Sequence, residues 1–170
     1  LADYKALVCK GDGYGFKVGD PGSGGGANLT FYVNNGTYAA AFAYNNYSDG
    51  NWHFVTGLRN GTTGELKLYV DNILVANSSG PIGPISVSNS LKFGKYWNIN
   101  PHYFNGGLDQ ISIWNRALNQ YEIQQYKSTP PNGNESGLVG YWNFNEGSGS
   151  TVTDLSGNGN NGTISGATWS

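Results

Sequence analysis

The chain has 170 residues, long enough for one domain with a sizeable core, and holds 27 glycines, 14 % aromatic residues and only 12 % charged ones. That mixture speaks against long helices and for short strands joined by Gly/Asn turns. A net charge of −2 excludes the basic footprint of a nucleic-acid binder and a polybasic membrane patch, and no apolar run reaches the length of a membrane span. The sequence starts at Leu1, contains no Met and shows no leader, so it reads as a mature product or a piece excised from something longer. Cys9 is the only cysteine, which leaves a buried free thiol as the expected state and an intermolecular bridge as the alternative.

In chain order, Tyr4 to Cys9 and Tyr14 to Val18 read as short strands split by Gly11-Asp12-Gly13, and Pro21 to Ala27 as a loop tip. Asn28 to Val33 alternates as a strand, and Asn34-Asn35-Gly36 turns it into Thr37 to Tyr44. That last run is rich in small residues and could be helix, but its hairpin context favours a strand. Trp52, Phe54 and Thr56 alternate with His53, Val55 and Gly57, the pattern of a half-buried strand. Arg59 to Gly64 has hairpin-turn chemistry, and Leu66, Leu68 and Val70 alternate with Lys67, Tyr69 and Asp71. Asp71-Asn72 is a second tight turn, returning into Ile73 to Ala76. After a loop at Ser79 to Pro84 come a short strand at Leu91 to Gly94, a long aromatic and Asn-rich loop at Lys95 to Gly107, and a strand at Leu108 to Trp114. Asn115 to Tyr126 is the one good helical segment, with Asn119 placed to cap the turn that starts at Gln120.

Two stretches resemble a known family. The Trp-His strand followed by Leu68-Tyr69-Val70-Asp71 is similar to the hairpin of laminin-G-like, concanavalin A-type jelly rolls. Gly106 to Ile123 resembles the closing strand and helical turn of the same domains. The resemblance implies an all-β antiparallel sandwich with one short helix near 119–126, its main body spanning residues 1–127. Thr129 to Ser136 reads as a Pro/Gly/Asn linker within 128–136. Residues 137–170 resemble the family's opening strands, with Tyr141, Trp142 and Phe144, the Glu146 to Gly149 turn and the Asp154 to Asn158 loop. The chain thus carries an end before a beginning, as expected of a permuted domain completing its own sandwich, a piece of a tandem array, or a fold that takes strands from a neighbour.

For catalysis, a retaining glycosidase on such a sandwich needs two carboxyl groups about 5–5.5 Å apart. The eleven acidic residues fall mostly in turns, none paired at i, i+2 or i+4, and no nucleophile–His arrangement is present. The expectation is a protein that is not an enzyme. For a metal, Asp154, Ser156, Asn158 and Asn160 place oxygens at i, i+2, i+4 and i+6 in a Gly-rich loop, as a chain does around calcium, with Asp109 as the second carboxylate. The alternative is an Asx-rich turn capping its own backbone. The resemblance adds a structural calcium as an implied cofactor. Trp52, Trp114 and Trp142 are expected in the core. Trp97 with Tyr96, Asn98, His102 and Tyr103 offers aromatic faces beside amides, which suit sugar rings. Tyr44, Asn45, Asn46 and Tyr47 form a second cluster of that kind. Seven Asn-x-Ser/Thr sequons, at Asn28, Asn35, Asn46, Asn60, Asn77, Asn134 and Asn161, are possible N-glycosylation sites, each expected in a turn or loop.

These readings point to a non-catalytic, extracellular recognition or adhesion module that binds carbohydrate as a glycan partner. The other class is a structural module of a surface layer, adhesin stalk or virion decoration, contacting cell-surface or virion proteins, copies of itself or tandem neighbours.

Overall fold

The computed structural model describes residues 5–20, 27–97 and 103–169. The chain divides into two compact units, Leu1–Gly106 and Gly107–Ser170. The first holds β1 (Lys5–Lys10), β2 (Tyr14–Asp20), β3 (Ala27–Asn34), β4 (Tyr38–Ala43), β5 (Val55–Arg59), β6 (Glu65–Val70), β7 (Ile73–Ser79) and β8 (Leu91–Phe93). They build a five-stranded sheet in the order β4-β3-β2-β1-β8 and a three-stranded sheet in the order β5-β6-β7, with every pairing antiparallel.

Strand alternation explains why these sheets stack. Leu29, Phe31 and Val33 of β3 and Ala41 and Ala43 of β4 share one buried cluster with Leu66, Leu68 and Val70 of β6. Full burial of each larger aliphatic chain contributes about 1.5–3 kcal/mol relative to exposure. Gly57 lets the sheets approach here, since a Cβ on it would run into the Phe31 ring. The opposite face of the five-stranded sheet carries a second cluster, Ala6, Cys9, Tyr32, Ala40 and Tyr96. The buried Lys17 sits there with its ammonium 4.5 Å from the Tyr32 ring centre and 5.3 Å from that of Tyr96, a cation–π arrangement that lets a charged tip lie over an apolar floor. Cys9 is free and fully buried, and its Sγ donates to the Lys95 carbonyl at 3.2 Å. Burial pushes its thiol up to about 11.

The second unit contains β9 (Ile111–Trp114), α1 (Gln120–Ser128), β10 (Leu138–Trp142), β11 (Thr151–Val152) and β12 (Gly162–Thr163). β10 pairs antiparallel with β9, and β11 with β12. The helix opens on a capping box: Asn119 accepts from the Glu122 N–H, and Glu122 accepts from the Asn119 N–H. Arg116 clamps Glu122 with two hydrogen bonds, at 2.9 and 2.6 Å, and lies over the Trp114 ring, which stacks on Tyr126 at 5.1 Å. The division between units falls at Gly106–Gly107; the Pro/Gly/Asn stretch at 129–136 joins α1 to β10 within the second unit.

Several element boundaries differ from the sequence reading, most of all the starts of β5, β9 and α1. The strand expected from Trp52 begins at Val55, for a reason given below. The strand expected from Leu108 begins at Ile111, because Gln110 takes a left-handed φ of 50° while its N–H donates to the Asp109 carboxylate. The helix expected from Asn115 begins after the cap at Asn119. The tight turn at Asp71-Asn72 is present, with φ of 52° and 69°, the left-handed pair that a two-residue hairpin needs. Among the described residues no helix is long and apolar enough to cross a membrane.

Candidate functional site

The connection from β4 to β5 is a run of Asx turns. The Ser48 N–H donates to Asn46 Oδ1 and the Asn51 N–H to Asp49 Oδ1, each at 2.9 Å. Short polar side chains thus replace strand hydrogen bonds with local ones, and β5 starts late. His53 then ties this loop to the β6–β7 turn. Its Nδ1 lies 2.7 Å from Asp71 Oδ2 and its Nε2 3.1 Å from Asp49 Oδ1. Asp71 also accepts from the Phe54 N–H at 3.1 Å and donates its own N–H to the Phe54 carbonyl at 2.8 Å. The Tyr47 ring meets the imidazole edge-on at 5.6 Å. The hydrogen bond to Asp71 above all, opposed by burial and joined by the bond to Asp49, raises the His53 pKa above its ordinary value. Hydrogen bonds from Asn51 first, and then from His53, hold the Asp49 carboxyl down at about 2.

Trp52 rides on this pinned loop with 70 % of its surface exposed, and Tyr44 at the loop's start is 56 % exposed. This corrects the expectation of a core Trp52. The apolar alternation around it is real, but the residue precedes the strand and its side chain is not gathered into either cluster. Trp142 is buried, as expected, and Trp114 is half-buried in the stack on Tyr126.

The loop after β8 is differently disposed. Tyr96 is buried in the second cluster, so it serves the core and drops out of the set of sugar-facing candidates. Trp97 is half-buried against the same cluster, and its indole N–H is buried with no hydrogen-bond partner among the described residues. Tyr103 is 47 % exposed, with the Lys95 ammonium 5.1 Å from its ring centre. Asn98 and His102 lie outside the described residues.

The structure draws Asp154, Ser156, Asn158 and Asn160 together, but as a hydrogen-bond hub. The buried Asp154 carboxylate accepts from the Tyr141 N–H at 3.0 Å, the Ser156 N–H at 2.9 Å, the Ser156 hydroxyl at 2.7 Å and the Asn160 N–H at 2.9 Å. The Asn158 amide donates to the Leu138 and Val139 carbonyls, both at 3.1 Å, and the Asn160 amide to Val139 at 2.9 Å. Burial pushes the Asp154 carboxyl up, and the bonds from Ser156, Tyr141 and Asn160 outweigh it and hold it below the usual range. Asp109 is exposed and bonds the Gln110 N–H. A calcium ion needs six to eight oxygens turned inward. Here the amide N–H groups surround the carboxylate and the Asn side chains present donors to β10, so the arrangement fits an Asx-rich turn and not a calcium cage. Among the described residues no three His, Cys, Asp or Glu side chains converge to hold a metal.

A shallow cleft of about 430 Å³ is lined by Asp12, Asn34, Asn35, Gly36, Pro84, Ser86 and Val87. Of the sequons, Asn35, Asn46, Asn77, Asn134 and Asn161 are exposed and Asn28 and Asn60 half-buried. Asn28 lies in β3 and Asn77 in β7, not in turns as expected.

Residues 2–124 match the family model of the concanavalin A-like lectin/glucanases superfamily, in its laminin-G form. The chain belongs to this superfamily. No curated protein matches the sequence. Among solved structures the chain is similar to a candidate carbohydrate binding protein from Bacteroides ovatus, with a TM-score of 0.78 and 18 % identity. That match covers 96 % of this chain and 48 % of the other, so this chain spans about half the length of its relative. It is also similar to part of an S-layer domain-containing protein from Clostridium thermocellum, with a TM-score of 0.42 and 19 % identity over 71 % of this chain and 65 % of that one. At these identities the likeness is one of fold, and the laminin-G-type sandwich hosts many functions.

Proposed function

We propose that this laminin-G-type module is a non-catalytic, extracellular carbohydrate-recognition domain whose sugar contact is made by the Tyr44–Trp52 loop. One observation carries the reading: Trp52 is 70 % exposed on a loop held by the bonds through Asp49, His53 and Asp71. A large aromatic left in water contributes little to folding, whereas a fixed flat face beside amides such as Asn51 suits the C–H face and hydroxyl rim of a sugar ring. Family membership and the carbohydrate-binding description of the Bacteroides ovatus relative support it. In the loop after β8, Tyr103 offers an open ring and Trp97 a half-covered one, which makes them a secondary contact in this proposal.

A glycan array probed with the wild-type chain, Trp52→Ala and Trp97→Ala tests it. The expected result is a glycan signal that Trp52→Ala abolishes while its melting curve stays within about 1 kcal/mol of wild type, as for an exposed substitution. A wild-type chain that retains no glycan, or one whose binding survives Trp52→Ala and fails in Trp97→Ala, overturns the assignment.

A further inference from the structure

His53 has a carboxylate oxygen on each ring nitrogen, Asp71 Oδ2 at 2.7 Å and Asp49 Oδ1 at 3.1 Å. A carboxylate can only accept, and a neutral imidazole has one N–H to give. Both bonds therefore exist together only in the imidazolium form. The charged and titratable groups facing the ring are Asp49 from its own loop, Asp71 from the β6–β7 turn, and Tyr47, whose ring meets it edge-on.

The two carboxylates are not equally held. Asp71 is fastened to Phe54 by bonds in both directions and makes the shorter contact to His53. Asp49 is more exposed, with 41 % of its side chain open against 32 % for Asp71. When the proton leaves, the remaining N–H stays with Asp71, and the Nε2 lone pair then faces the Asp49 oxygen. The segment between Asp49 and His53 is Gly50-Asn51-Trp52, and Gly50 has a φ of 84° with open space around it. It is free to swing once the tie at Asp49 is lost.

We propose that protonated His53 is a latch that positions the Trp52 platform, so that ligand contact through Trp52 is made in mildly acidic to neutral solution and loosened as the imidazole loses its proton. The latch itself rests on the geometry above, and its effect on a sugar rests on the function proposed in the preceding subsection. The direction follows from linkage. The folded His53 pKa is raised above its ordinary value, so the contribution is complete below about 6.5, the ordinary imidazole pKa, and fades as pH climbs through the raised value. At the acid end, Asp49 lets go only as pH falls towards about 2.

The test needs no ligand. The ring protons of His53 are titrated by NMR in wild type and Asp49→Asn, with His53→Gln assigning the signal. Amide protection factors at Asn51 and Trp52 are followed across the same pH range. In wild type His53 titrates above 6.5, and protection at both amides falls roughly two- to fivefold on deprotonation, the size of one exposed charged hydrogen bond. In Asp49→Asn the pKa drops, and the pH dependence of protection disappears, because an amide can pair with either form of the ring. A His53 pKa at or below 6.5, or wild-type protection that does not change through the titration, overturns the latch. If the latch signals appear while no glycan binds on the array, the latch stands and the carbohydrate reading fails.

Discussion

Replacing Asp154 with Ala removes the acceptor of four hydrogen bonds at once. The Tyr141 N–H is buried, so its orphaning costs about 1–3 kcal/mol. The Ser156 and Asn160 N–H groups lie nearer to solvent, and losing such turn-capping bonds costs about 0.5–1 kcal/mol each by analogy with helix caps. Together these give about 3 kcal/mol, equivalent to a fall in melting temperature of roughly 6–12 °C for a domain of this size. Since the Asp154 pKa is lowered on folding, the stabilisation is present above the ordinary carboxyl pKa and disappears as pH falls through the lowered one. Thermal melts of wild type and Asp154→Ala, each with chelator and with millimolar calcium, measure all of this. The hub predicts a large difference between the proteins and no response of either to chelator. A wild-type melting temperature that chelator drops to the mutant's value would show that a cation occupies the loop, and a mutant that melts with wild type would refute the hydrogen-bond accounting.

Gly57→Ala places a methyl group against the Phe31 ring and should cost about 1–3 kcal/mol by overpacking. It is read as a lower urea midpoint at an unchanged m-value; an unchanged midpoint would mean that the facing sheets have slack at this point. Cys9, buried and with its thiol pushed up to about 11, should resist aromatic disulfide reagents at pH 8 in the native protein and react at once in denaturant. Rapid native labelling would contradict its place under the second cluster.

Much of the fold is legible where a residue's fate is decided by its near neighbours. Leu66, Leu68 and Val70 alternate, and all three land in the core. Asn119 marks the helix start as its cap residue, as its place before Gln120 suggests. Trp52 is illegible because its exposure is decided by a residue eighteen positions beyond its neighbour His53: Asp71, by holding His53 and Phe54, keeps the preceding segment out of the sheet. The Asp154 loop is ambiguous in the sequence for a related reason. Oxygen-bearing side chains on alternate residues are equally the pattern of a cation cage and of stacked Asx turns, and the choice is made by the carbonyls of Leu138 and Val139, which draw in the Asn amides. Tyr96 sits in a stretch that reads as loop, and only the sheet face above Cys9 and Tyr32 explains its burial.

The pairing of β10 with β9 bears on how this module can be isolated. The family match stops at residue 124, inside α1. A fragment cut at that point keeps β9 but loses Tyr126, on which Trp114 stacks, and β10, the strand hydrogen-bonded to β9 among the described residues. Its ladder groups from Ile111 to Trp114 would then face water as a bare edge, ready to zip onto another copy. Boundaries copied from the family would therefore yield a sticky protein whose self-association mimics a biological assembly, and carrying the cut past β12 at Thr163 avoids it.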